Sequence, residues 1–226
     1  MGQTSPEPDP TPTLRAAVGR APVAVTGIQA SGRAHLGNFL GLIRPALALA
    51  ASHDAHYFIA DAHALTTLRD GAALRRHTRE ITATWLALGL DPHRTTLYRQ
   101  SDLPEVFELA WILACYTGKG LLNRAHAYKA AVAANRDAGR ADDHGVTGGT
   151  FGYPVLMAAD VLLLAADVVP VGLDQKQRPA RGAYRALMAD PAELERLLAA
   201  GVGRARERAT PVIDRVRTAV GLGPGG

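Results

Sequence analysis

The chain has 226 residues, 47% of them hydrophobic, and a formal net charge of +4, enough apolar material for one sizeable core. Its single cysteine, Cys115, excludes an intramolecular disulfide and points to a reducing, cytoplasmic setting. No apolar stretch is long and charge-free enough to span a bilayer, so no membrane partner is expected.

In chain order, residues 1–20 are polar and Pro-rich and read as a disordered leader. Residues 22–26 read as a buried strand and 37–51 as a helix, with 56–60 as the second strand. Asp70 is placed to N-cap a helix running to about Leu88, where Gly89 stops it. A third strand is expected at 95–98. Pro104 then opens a helix with Val106, Leu109, Ala110, Leu113 and Tyr116 at helical spacing, on whose apolar face Cys115 reads as inert packing. Another helix is expected over about 121–134, followed by a polar, Gly-rich loop at 135–152. Residues 154–165 read as a strongly apolar helix and 167–171 as a fourth strand. Strands separated by helices imply an α/β fold with a parallel, Rossmann-like sheet and right-handed crossovers, whose ligands lie beyond the C-terminal strand ends.

The composition shifts at Arg178-Pro179. Asp190-Pro191-Ala192-Glu193 is a capping-box helix start, and a second helix is expected from about Val202 to Val220. From Arg178 onward nine arginines meet five carboxylates, so the whole charge surplus sits there. Such a segment suits either nucleic-acid contact or solvated helix faces.

Three stretches carry possible chemistry. Between the first strand and its helix, Ala30-Ser31-Gly32-Arg33-Ala34-His35-Leu36-Gly37-Asn38-Phe39 is either an ordinary turn or a nucleotide site. In the second case Gly32 and Gly37 admit a close backbone approach, and His35 and Asn38 donate to phosphate or ribose oxygens. Asp160 interrupts the apolar run Tyr153–Leu164. A carboxylate there needs a donor, and is either an internal cap or salt bridge or an acceptor aimed into an apolar pocket at one N–H of a flat ligand. Gly172, Asp174 and Gln175 directly follow the fourth strand, at the ligand edge of the sheet or in a plain loop. His53, His56, Asp61 and His63 lack zinc-type spacing, so no metal site is expected. No Gly-x-Ser-x-Gly elbow occurs.

Several of these stretches together resemble the tryptophanyl-tRNA synthetases, class I enzymes. They are Thr26–Gly32, His35-Leu36-Gly37-Asn38, Asp61–Thr66, Gln100-Ser101 with Pro104-Glu105, Asn123–Lys129, Tyr153–Asp160, and Val169–Gly172 with Asp174–Gln177. The resemblance covers about residues 22–177 and resumes near Tyr184 with Leu187-Met188-Ala189-Asp190. It implies that 21–177 is a Rossmann-like catalytic domain with a helical connective segment and that 178–226 forms C-terminal helices. The implied activity is activation of L-tryptophan by ATP to tryptophanyl-adenylate and its transfer to tRNA(Trp).

Carried over by position, the resemblance puts His35 and Asn38 on ATP, helped by Ser31, Gly32, Gly37, Gly172 and Asp174. Gln29, with Gly27, would stand at the junction of the amino-acid and ATP sites and serve catalysis with His35 and Asn38. Asp160 would accept the indole N–H, with Tyr153, Met157, His63, Val169 and Val171 shaping the slot and Gln175 holding the α-amino group. Mg²⁺ would come with ATP rather than on a dedicated protein site, and the implied assembly is a homodimer. Two departures are small, Leu173 in place of a frequent acid and Val25 in place of a common aromatic. The larger one is that no Lys-Met-Ser-Lys-Ser signature occurs. Arg178 leads instead into what resembles the family's far C-terminal helices, as though about 100 residues, a small domain's worth, were removed. That leaves two alternatives open: a paralogue passing tryptophan to a non-tRNA acceptor, or a non-catalytic tryptophan- and nucleotide-binding protein.

Overall fold

The computed structural model describes residues 20–32, 38–170, 184 and 187–222. Three strands, β1 (Val23–Gln29), β2 (Asp54–Ala60) and β3 (Thr96–Arg99), form a parallel sheet in the order β1-β2-β3. Register runs from Val23 opposite Asp54 to Gln29 opposite Ala60, then from His56 opposite Thr96 to Ile59 opposite Arg99. β1 runs on past its expected end at 26 to Gln29, β2 begins earlier, at Asp54, and ends as expected, and β3 is shifted by one residue. Buried strands of this kind are apolar on both faces and so lack an alternating end signal.

The expected fourth strand at 167–171 is reduced to a single bridge. Val168 pairs in parallel with Ala24, and the Asp167 carboxylate accepts the Val23 N–H at 2.8 Å. Position 171 lies outside the described residues. With Val168 on one side of β1 and β2 on the other, the chain reverses direction of growth at β1.

Side-chain alternation divides the core into two layers. Ala24, Ile28, Tyr57, Ile59 and Leu97 face helices α1 (Arg44–Leu49) and α3 (Gly71–Ala87), which contribute Ala46, Ile81 and Trp85. Val23, Val25, Phe58 and Tyr98 face α4 (Glu105–Tyr116) and α7 (Gly148–Leu163), which contribute Val106, Leu109, Ala159 and Leu163. Between them lie a π-helical turn at Phe39–Ile43 before α1, the short α2 (Asp61–Ala64), α5 (Lys119–Leu122) and α6 (His126–Asp137). The helix expected over 121–134 is therefore two pieces.

Two helices correct the sequence reading. Helix α7 starts at Gly148, because the Thr147 hydroxyl caps it by accepting the Thr150 N–H at 3.2 Å. Pro154 is thus internal, and the last five residues of the expected glycine loop are helical. The C-terminal segment forms one helix, α8 (Pro191–Ala219), rather than two. The expected break falls at Gly201, where the helix crosses the outer edge of β3. A Cβ there would stand 1.7 Å from the Leu97 carbonyl oxygen, so only glycine permits the approach.

Helix α8 then reaches both layers, burying Leu198 in one and Ala205, Ala209 and Ile213 in the other. Three of its arginines are tied to other parts of the fold. Arg204 donates to the Pro92 and Thr95 carbonyls at 2.8 and 3.1 Å, Arg208 to the Leu164 carbonyl at 2.8 Å, and Arg217 clasps Glu108 at 2.7 and 2.6 Å. Cys115, expected to pack, is exposed. No helix among the described residues is long and apolar enough to cross a membrane.

Candidate functional site

The C-terminal ends of β1 and β2, helix α7 and the Val169-Pro170 segment enclose a cavity of about 410 Å³. It lies where the chain leaves β1 toward β2 on one side and Val168 on the other, the position at which open parallel sheets bind their ligands. β1 supplies Gly27 and Gln29 to the wall, and the helix start after it supplies Asn38. Gly27 is required: an added Cβ would lie 2.4 Å from the Phe58 ring that lines the same space.

The carboxylate in this wall is Asp160, 2% exposed on α7. Its Oδ2 lies 2.9 Å from Nε2 of His63, the third residue of α2. The Gln100 amide donates to both carboxylate oxygens at 2.9 Å. Gln100 also accepts the His63 N–H at 3.2 Å through Oε1. The three residues thus form a closed buried network joining the ends of β2 and β3 to α7. Burial pushes the Asp160 carboxyl above its usual range, while the bonds from His63 and Gln100 pull the other way. The adjacent Tyr98 hydroxyl is raised by its own burial and then by the Asp160 charge.

Around this acceptor the surface is apolar and aromatic. Tyr153 meets the His63 ring edge-on at 4.7 Å between centroids, and Met157, Val161 and Val169 continue the wall. The Gln29 amide donates to the His63 carbonyl at 3.2 Å, coupling the end of β1 to the same network. Next door, Asp61 accepts the N–H groups of Ala62 and Ser101 at 3.0 Å and the Ser101 hydroxyl, which fixes the β2–α2 corner.

The structure therefore brings together Asp160, His63, Tyr153, Met157, Val169, Gln29 and Asn38. Met157 is 48% exposed, so it forms a rim rather than an enclosed floor. Ser31 and Gly32 stand off this wall, at the exposed end of the β1 segment. His35, Gly37, Val171, Gly172, Asp174 and Gln175 lie outside the described residues. Gln100 had no role assigned from sequence. The available signal was its place one residue beyond β3, at the ligand edge. Among the described residues, no three His, Cys, Asp or Glu side chains stand together as a metal site.

Residues 18–182 match the family model of class I tRNA synthetases for tryptophan and tyrosine. The chain belongs to this family. Among relatives of this class I synthetase chain, the tryptophan–tRNA ligase of Xanthomonas axonopodis pv. citri is 58% identical over 155 residues, 68% of the chain and 36% of the relative. The Pseudomonas aeruginosa ligase is 56% identical over the same length, 35% of its own. The chain thus spans about a third of the length of the curated relatives it matches. Tryptophanyl-tRNA synthetase from Mycoplasma pneumoniae is 33% identical, with a TM-score of 0.59 over 77% of this chain and 48% of that one. The Campylobacter jejuni enzyme, solved with ADP and tryptophan, shares the fold at 22% identity. Its TM-score is 0.74 over 88% of this chain and 100% of that one.

Proposed function

We propose that this synthetase chain binds L-tryptophan in the Asp160 cavity and uses ATP to form tryptophanyl-adenylate for transfer to tRNA(Trp). The observation that carries the reading is a buried carboxylate, fixed by His63 and Gln100, beside the apolar and aromatic side chains Phe58, Tyr153, Met157, Val161 and Val169. Such a wall accommodates a flat ring system, and the carboxylate supplies the acceptor that an indole N–H needs and a phenyl ring does not. In this reading Tyr153, Met157, Val169 and Val171 hold the ring and Gln175 holds the α-amino group. Gln29 and Asn38 meet the junction with ATP, whose phosphates are taken by His35 and by backbone at Ser31, Gly32 and Gly37, with Gly172 and Asp174 facing them. Mg²⁺ carried on ATP would offset phosphate charge. Catalysis is then positioning of the tryptophan carboxylate in line with the α-phosphate.

The proposed assembly is a cytoplasmic homodimer. Its support is the exposed apolar side chains of α4 and α5, with Trp111 73%, Tyr116 76% and Leu121 58% exposed.

Tryptophan-dependent exchange between ATP and pyrophosphate tests the activity. Exchange lost in Asp160→Asn supports it, and no exchange by the unaltered chain at high concentration refutes activation. One observation favours a second reading, tryptophan binding without turnover: the sequence holds no Lys-Met-Ser-Lys-Ser. Each missing charge-stabilising group costs about 10²–10³ in rate. Calorimetric binding without exchange would establish that reading.

A further inference from the structure

Gln100 is fully buried and is not part of the cavity wall, yet three hydrogen bonds converge on its amide. A carboxylate offers about four lone-pair sites. His63 occupies one on Oδ2, and the Gln100 NH₂ group spans Oδ1 and Oδ2. What remains is acceptor capacity on Oδ1. The other end of the same amide, Oε1, takes the His63 backbone N–H, so the amide cannot turn over without placing NH₂ against N–H and oxygen against carboxylate.

From this geometry we infer that Gln100 is a positioning residue for ligand selection: it holds the Asp160 carboxylate in one orientation, with a single acceptor site open to an N–H donor in the cavity. The inference rests on the proposed tryptophan site for the identity of the donor. Its physical content belongs to the ligand-free protein as well. An apolar side chain at position 100 removes the donor to both oxygens and leaves His63 as the sole partner of a buried carboxylate. The carboxylate then rotates toward His63 and takes up a proton more readily, because burial already opposes its charge. A protonated or rotated group no longer presents the free acceptor.

The test uses Gln100→Met, close in shape and apolar, with Gln100→Leu as a second variant, both checked by circular dichroism and melting. The first readout needs no ligand. The Asp160 carboxyl carbon is followed by NMR against pH in labelled full-length protein, with Asp160→Asn identifying the signal. Both variants should move its titration to higher pH, and an unchanged titration in a folded variant overturns the inference.

The second readout compares L-tryptophan with the benzothienyl analogue of alanine, which keeps the ring size and lacks the N–H. Loss of one charge-assisted contact predicts about tenfold weaker tryptophan binding. Binding of the analogue should stay within about twofold of the unaltered chain. A purely structural role would weaken both ligands equally, and that result overturns the inference. If the unaltered chain binds neither ligand, the tryptophan reading fails while the NMR titration still decides the role of Gln100.

Discussion

At the scale of single residues, two buried titratable groups make binding and stability pH-dependent in definite directions. Asp160 must be ionised to accept an N–H with full strength, and its burial holds its carboxyl above the usual range. Tryptophan affinity is therefore expected to fall as pH drops through that raised value, earlier than for an exposed aspartate. Titrating affinity between about pH 4 and 8 checks this, and the dependence should vanish in Asp160→Asn.

His56 acts on stability instead. It is 4% exposed at the start of β2, and its Nε2 lies 3.0 Å from Asp54 without aligning into a hydrogen bond. Burial lowers its pKa most, Asp54 opposes this, and Arg208 and Arg204 add to the lowering. The folded chain thus binds the proton less readily than the unfolded chain, whose histidines titrate near about 6.5. The stability is complete above that value and is lost as pH falls through the lower folded value. Melting temperatures measured from pH 7.5 to 5 should decline below about pH 6.5 and decline less in His56→Gln.

Among the elements, α8 bears most on how the sheet is closed. It crosses the β3 edge that would otherwise offer unpaired backbone groups to another chain. Gly201→Ala would drive a methyl group into the Leu97 carbonyl and lift the helix from the strand. Overpacking of this kind costs about 1–3 kcal/mol, which denaturant titration would register as a lower midpoint with the slope nearly unchanged. Gly203→Ala, with open space around its Cβ position, should be neutral or stabilising.

The same residue shows why the sequence was only partly legible. Strand–helix alternation and apolar runs were sufficient for the parallel sheet, since β1 and β2 are built almost wholly of buried residues. A Gly-Val-Gly stretch looks like a helix break, whereas here one glycine serves a close tertiary approach that no local pattern encodes. Helix α7 was misplaced for a related reason. Pro154 reads as a start, yet the cap at Thr147 seven residues earlier outweighs it. Asp160 stood out as a carboxylate in an apolar run, while Gln100 did not, because a glutamine after a strand is unremarkable until its three hydrogen bonds are seen.

For the whole molecule, two exposures balance each other. The β3 edge is covered by α8, and the β1 edge carries a single bridge at Val168. Phe107 and Trp111, one turn apart on α4 and 38% and 73% exposed, form an aromatic row left to solvent. Pairing of two such rows would bury it, so light scattering should give at least twice the chain mass of 23.8 kDa. Trp111→Glu should return the species to monomer, as a charge in the centre of an apolar interface is strongly disfavoured. A stable monomer for the unaltered chain would contradict the dimer. Titration calorimetry with L-tryptophan measures the ligand of the Asp160 cavity directly. One site per chain is expected, with affinity reduced by about 1–3 kcal/mol in Asp160→Asn. No heat of binding from the unaltered chain at millimolar tryptophan, or equal binding by Asp160→Asn, would contradict it.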